Sequence, residues 1–404
     1  MSLIINRSCM SKEAKKIFLV LVFYSLAGGI FYNFQELWMA ENLLSVRTIG
    51  TILSLSALIT VSTIFLCSNL IKKERLKTFC IMLLIVKAVI IFIMFFLHKS
   101  GWSILIKMLV MLDYAINTEI YACIYPLLAT VSKSDRTYAK KDLVYSAFYN
   151  IGVLITGFFL GKTVGYVVVN YNFYCLLAGA LIIMAVIVLF NVKITYNNCK
   201  NVEEKDYNTL YKLINIISKD KISKIYILFL LCGQISYNCV LSLIITILTT
   251  GLNFSPQKAA SLVVLMGVIA VVLGIIVLTK LTFKNNYISL SIKYIIRALL
   301  YILAVIFNNK IMFLIALMYP KIIAESYSHI TDAPYINRFA NDYQLAFCNL
   351  REMIVYFGKS LGTLICGISL SVGIRLNFLF AAIFGVFQAV FSMYALYLRN
   401  KEVK

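Results

Sequence analysis

Charge is scarce in this chain of 404 residues: Asp, Glu, Lys and Arg together make up 14% of it. Soluble domains carry about 25%. With 61% of the residues hydrophobic, too little polar surface remains to cover a globule in water. The balance excludes soluble, disordered, collagenous and coiled-coil classes, and leaves a chain solvated by lipid. Acid is scarcer still, with 17 Asp and Glu against 38 Lys and Arg and a net charge of +21. Histidine occurs twice, at His98 and His329. His329 with Asp332 and Glu325 makes a thin donor set, so no metal is expected. None of the 10 cysteines stands in a CxxC pair, so neither a zinc site nor a disulfide framework is indicated. No soluble stretch carries a Ser/His/Asp, Cys/His or paired-carboxylate arrangement, which argues against an enzyme and against a cofactor. The segment TGFFLGKT at 156–163 nearly spells a phosphate-binding loop. Its first glycine is out by one position, and it lies inside an apolar run instead of between a strand and a helix.

What the chain has in abundance is long apolar runs. A bilayer core about 30 Å thick needs roughly 20 apolar residues in a helix, and about twelve such runs are present. They fall near 17–39, 46–71, 78–98, 103–128, 143–168 and 173–192, then 224–250, 256–280, 287–307, 311–333, 343–370 and 373–397. The first run has a basic start like a signal peptide, but it is too long and carries Tyr32, Asn33, Gln35 and Glu36 near its end. It reads as a membrane helix.

Basic residues orient the runs. With both termini inside, roughly 25 Lys and Arg fall in inner segments and about 5 outside, as the positive-inside rule demands. The positive charge therefore reflects topology and anionic lipid, not nucleic acid.

The one long polar stretch, about 193–223, separates six runs from six. The expected domains are thus 1–192, a cytoplasmic connector, and 224–404. Within the connector Leu210, Leu213, Ile214 and Ile217 recur at helical spacing. An amphipathic helix on the inner leaflet and a solvated linker both fit. The halves echo each other: Pro126, a basic loop and GVLITGFFLG in the first answer to Pro334, a loop with Arg338 and GKSLGTLICG in the second.

These features resemble the major facilitator superfamily along nearly the whole chain. The inner loop SNLIKKERLK (68–77) is similar to that family's GxLxDRxGRR: Leu70, Lys73 and Lys77 fit, while Lys72 replaces the acid and Arg75 the second glycine. Gly152, Gly157 and Gly161 resemble the fifth-span pattern of its drug antiporters, with Phe158 in place of the proline and Lys162 in place of the last glycine. The eleventh-run region around Arg338, Asp342, Arg351, Glu352, Gly358 and Lys359 is similar to carriers encoded beside peptide-antibiotic genes. The resemblance implies an all-α membrane protein of twelve transmembrane helices in two halves. It also implies alternating access in a bacterial cytoplasmic membrane and export of antimicrobial peptides of the microcin kind. A monomer is expected.

Ionisable groups at bilayer depth cost about 2.5–3.5 kcal/mol each on insertion scales, so each needs a reason. Several form stripes at helical spacing. Run ten carries Lys321, Glu325, His329 and Asp332, and run eleven carries Glu352, Tyr356, Lys359 and Thr363. Run one carries Tyr32, Gln35 and Glu36; run four Asp113, Asn117 and Tyr121, with Glu119 on another face; run seven Gln234 and Asn238. An antiporter needs an acid for which proton and substrate compete, and Glu325 ranks first, then Glu36 and Asp113, then Glu119. The polar neighbours would line the substrate cavity. Lys73, Lys77, Arg351 and the three fifth-run glycines are the expected gate residues. Alternatives stay open: Lys321–Glu325 as a structural ion pair, and Glu36 reaching water. Lys293 and Arg297 in run nine need an acid or a lipid phosphate beside them. An importer of the same fold, or a receptor or immunity protein that moves nothing, would share much of this pattern.

Overall fold

The computed structural model describes residues 11–32, 39, 44–70, 75–97, 102–131, 144–145, 147–155, 167–193, 209–280, 286–327 and 341–402. All regular structure among them is helical. We label the helices α1 (Lys12–Tyr32), α2 (Val46–Leu70), α3 (Leu76–Leu97), α4 (Ser103–Val131), α5 (Val167–Phe190), α6 (Thr209–Lys219), α7 (Lys221–Leu241), α8 (Pro256–Lys280), α9 (Asn286–Phe307), α10 (Lys310–Tyr327), α11 (Asn341–Leu370) and α12 (Ile374–Glu402). Residues 147–155 add a helical segment inside the fifth apolar run. Every apolar run read from the sequence therefore contains helix. Seven of the described helices are long and apolar enough to cross a membrane. In lipid no water satisfies a bare backbone group, so a spanning segment without a barrel partner has to be helical.

Helix ends follow local chemistry. Ser11, Ser45 and Asn309 accept a backbone N–H of the first turn of α1, α2 and α10, at 3.1, 3.2 and 2.8 Å. Asp220 does the same for α7, accepting from Ile222 and Ser223 at 3.3 and 3.2 Å. The two-residue turn between α9 and α10 relies on Asn308 at φ 45°, a left-handed conformation that asparagine tolerates better than most residues.

The chain forms two compact units, Met1–Asn42 with Leu70–Val202, and Leu43–Asn69 with Glu203–Lys404. In the first, α5 packs on α1 and α3, and α4 on α3 and α1. The segment 147–155 lies so close to α1 that a Cβ on Gly29 would overlap the Tyr149 carbonyl, and one on Gly152 would sit 2.5 Å from the Leu26 carbonyl oxygen. Glycine is required there for the backbones to meet. At one end of this unit Lys77 donates to the carbonyls of Phe190 and Val192 at 3.0 and 2.7 Å, and Lys16 to that of Asn191 at 2.7 Å. Two cations thus cap the C-terminal carbonyls of α5, where a helix end needs donors.

In the second unit α7 is central, against α11 and α12, with α9 on α12 and α8 on α10. Leu213 and Ile217 of α6 are buried with Tyr226, Phe229, Tyr294 and Ala389, whereas Ile214 and Ile216 are exposed. The connector helix is therefore docked on protein by one edge of its apolar face. α2 meets α11 through Gly50, whose added Cβ would lie 2.7 Å from Gly367 Cα, and through a buried hydrogen bond of 2.9 Å between Ser54 and Ser360.

Candidate functional site

In the first unit α1, α3 and α4 bring three polar side chains together deep in apolar surroundings. Lys87 is the twelfth residue of α3, roughly 16 Å along the axis from its start. A lysine stem spans only about 6 Å, so it cannot reach an aqueous surface by snorkelling. Its ammonium instead pairs with Asp113 Oδ1 of α4 at 2.8 Å, and both residues are buried, at 1% and 0% exposure. Tyr32, the last residue of α1, donates its hydroxyl to Asp113 Oδ2 at 2.6 Å and accepts from Lys87. Each carboxylate oxygen thus has its own donor.

Aromatic rings close the cluster. Lys87 Nζ lies 4.6 Å from the Tyr32 ring centroid and 6.0 Å from that of Tyr24, two turns earlier on α1. Tyr114 meets Tyr32 edge-on at 5.3 Å. One turn beyond Asp113, Asn117 receives the Tyr24 hydroxyl on its backbone carbonyl at 3.0 Å and on its side-chain oxygen. Taking two charges out of water costs several kcal/mol per ion, and a close contact with a donor on each carboxylate oxygen is what offsets it.

The helical stripe predicted for run four is therefore real at Asp113 and Asn117, and Tyr32 of run one joins it across the helix interface. Glu119 is also buried, on another face of α4 near Cys123. Lys87 was missed by the sequence reading. Its signal was a lone cation in the middle of the apolar run 78–98, the same signal that singled out the acids.

The second unit holds other expected residues in separate places. Asn238 donates to the Gln234 carbonyl at 2.8 Å and to its side-chain oxygen at 3.3 Å, one turn apart on α7. On α11 Lys359 lies 5.6 Å from the Tyr356 ring, and Arg351 pairs with its neighbour Glu352, whose side chain is 44% exposed. Such an open pair contributes at most about 1 kcal/mol. Lys321 is partly buried on α10. Among the described residues the partners of Arg297 are neutral groups. Its guanidinium donates to Gln388 Oε1 of α12 and lies 5.3 Å from the Tyr294 ring, which also faces Lys293 at 5.1 Å.

Gln35, Glu36, Lys73, Gly157, Gly161, His329 and Asp332 lie outside the described residues, as do the side chains of Tyr121 and Glu325. Among the described residues no three His, Cys, Asp or Glu side chains come together as a metal cage.

The fold and this buried, charge-balanced cluster define a multi-pass helical membrane protein with polar groups held at bilayer depth. Residues 17–324 match the family model of the Major Facilitator Superfamily, and the chain belongs to that superfamily of transporters. Its members generally move small molecules and are not enzymes. Solved structures of the same fold include the E. coli fucose:proton symporter FucP, with a TM-score of 0.64 at 12% identity, covering 95% of this chain and 98% of that one. The nucleoside transporter NupG matches with a TM-score of 0.68 at 10% identity, covering 96% and 98%. No curated protein matches the chain.

Proposed function

We propose that the chain is a proton-driven secondary transporter exporting an antimicrobial peptide of the microcin kind, or a related toxic compound, across a bacterial cytoplasmic membrane. Export would protect the cell that makes the compound. In this reading the halves 1–192 and 224–404, joined by the cytoplasmic connector 193–223 and with both termini inside, alternate around a site near the bilayer midplane. The observation that carries it is the Lys87–Asp113–Tyr32 cluster. A carboxylate held at membrane depth by one lysine and one hydroxyl is a group at which a proton can compete with other partners. Asp113 becomes the leading coupling acid, ahead of Glu325, Glu36 and Glu119. The seat of Gly152 against α1 supports the antiporter likeness on which the direction rests.

The test is retention of a microcin-type peptide by sensitive cells expressing the chain or its Asp113→Asn variant, with and without a protonophore. Lower retention that disappears in the variant and on collapsing the gradient supports the proposal. Equal retention in all four conditions, with the protein in the membrane, refutes that substrate.

A second reading, proton-coupled uptake of a nutrient, is favoured by the fold likeness to a fucose:proton symporter and a nucleoside transporter. Accumulation of labelled fucose or nucleoside that rises with an inward proton gradient would select it.

A further inference from the structure

Lys87 has more partners than an ion pair between two helices requires. Its Nζ touches Asp113 Oδ1 at 2.8 Å, but it also donates to the Tyr32 hydroxyl and lies over the Tyr32 and Tyr24 rings. A structural tie would need only the first contact. The second set matters when the carboxylate loses its charge. A protonated Asp113 no longer balances the ammonium, and an unbalanced buried cation costs several kcal/mol unless other groups hold it. A hydroxyl oxygen and two aromatic faces are such groups, since the ring quadrupole attracts a cation most strongly where water is excluded.

We propose that Lys87 is the exchangeable counter-ion of Asp113: ammonium and proton alternate as the carboxylate's partner, and Tyr32 with Tyr24 holds the ammonium while the proton is in place. The step is one proton transfer. A hydronium ion that reaches the site when it opens gives up one O–H bond as an Asp113 oxygen gains one, and a water molecule is left. Lys87 remains an ammonium, and the cluster passes from neutral to a single positive charge. Release reverses it. Around the pair, α1 presents Tyr24 and Tyr32, α4 presents Tyr114 and Asn117, and α5 places Cys175 within electrostatic reach of Asp113. Glu119, further along α4, is the other buried carboxylate of that helix. The inference rests on the proposed coupling at Asp113 and gives it a mechanism: the acid is never left unpaired in an apolar interior.

The experiment uses the purified full chain in liposomes with dicyclohexylcarbodiimide, which modifies protonated carboxyl groups in apolar surroundings. Labelling of Asp113 is read by peptide mass spectrometry across a pH series, with thermal melting of each sample as the folding control. In the unaltered chain labelling falls about tenfold per pH unit on the alkaline side. In Lys87→Met it becomes high and flat, because no cation is left to compete. In Lys87→Arg, whose guanidinium grips a carboxylate with two bonds, it is lower than in the unaltered chain at every pH. The arginine variant keeps the charge and decides the matter if the methionine variant does not fold. Absence of Asp113 labelling at every pH, or a pH course indifferent to residue 87, overturns the proposal and makes the pair a structural tie. Protonophore-sensitive export that survives in Asp113→Asn refutes coupling at this acid whatever the labelling shows. Loss of export in that variant with labelling indifferent to residue 87 refutes the counter-ion role alone.

Discussion

Neutralising one member of the Lys87–Asp113 pair should cost far more than neutralising both. With the two residues 1% and 0% exposed and Nζ to Oδ1 at 2.8 Å, neither charge has water to fall back on. Lys87→Met leaves Asp113 with only the Tyr32 hydroxyl, so the acid must take up a proton to stay buried. Asp113→Asn leaves the ammonium to the Tyr32 hydroxyl and the Tyr32 and Tyr24 rings, which make up only part of the lost attraction. Breaking a buried pair from one side costs about 3–5 kcal/mol, equivalent to two to four decades in the folding equilibrium. Lys87→Met with Asp113→Asn removes both charges while nearly preserving volume. It should recover all but about 1 kcal/mol, since the amide can still receive the Tyr32 hydroxyl. Equilibrium unfolding in detergent, followed by the four corners of the double-mutant cycle, measures this directly. The reasoning fails if either single variant is as stable as the unaltered chain, or if the double variant is no better than the worse single one.

Replacing Gln388 by Leu removes the acceptor of the buried Arg297 guanidinium and should lower stability by about 1–3 kcal/mol; adding Arg297→Met should recover most of the loss in the same unfolding assay. Gly29→Ala forces a Cβ into the Tyr149 carbonyl and should cost about 1–3 kcal/mol through separation of α1 from the segment 147–155, seen as a lower melting temperature. Leu213→Asp should undock α6, so that amides of 209–219 lose hydrogen-exchange protection while those of α7 keep theirs. Cysteines placed at Ser54 and Ser360 should cross-link readily in a background without native cysteines, because the two hydroxyls lie 2.9 Å apart, and Gly50→Val should abolish the cross-link by parting α2 from α11.

The spans were legible because lipid imposes a length and a composition on each segment independently of its neighbours. Helix boundaries read from hydropathy agree with α2 and α9 to within about two residues. Stripe logic also worked where it asked only which residues share a face: Asp113 and Asn117 lie one turn apart and both belong to the buried cluster. It failed at Lys87, passed over because a single cation in an otherwise uniform run forms no stripe. Arg297 was recognised as needing a partner, an acid or a lipid phosphate, and the partners described for it are neutral. The side-chain oxygen of Gln388 accepts from its guanidinium and the Tyr294 ring lies beside it, and neutral glutamine in run twelve gave no sign of that task. The connector helix was read correctly in periodicity, but its two possible settings were decided by Leu213 and Ile217 finding a core on α7, α9 and α12.

What the sequence determined by itself is the solvent, the helical class and the number of apolar runs, because each follows from local composition against a bilayer of fixed thickness. The tertiary structure alone decided which polar groups meet. Tyr32, Lys87 and Asp113 come from three helices, and each helix can turn any face inward until packing fixes its rotation. In lipid the hydrophobic effect does not choose that rotation, since the tails are as apolar as the side chains. Close contacts such as Gly29 on Tyr149, and the cost of leaving an ammonium or a carboxylate unmatched, choose it instead.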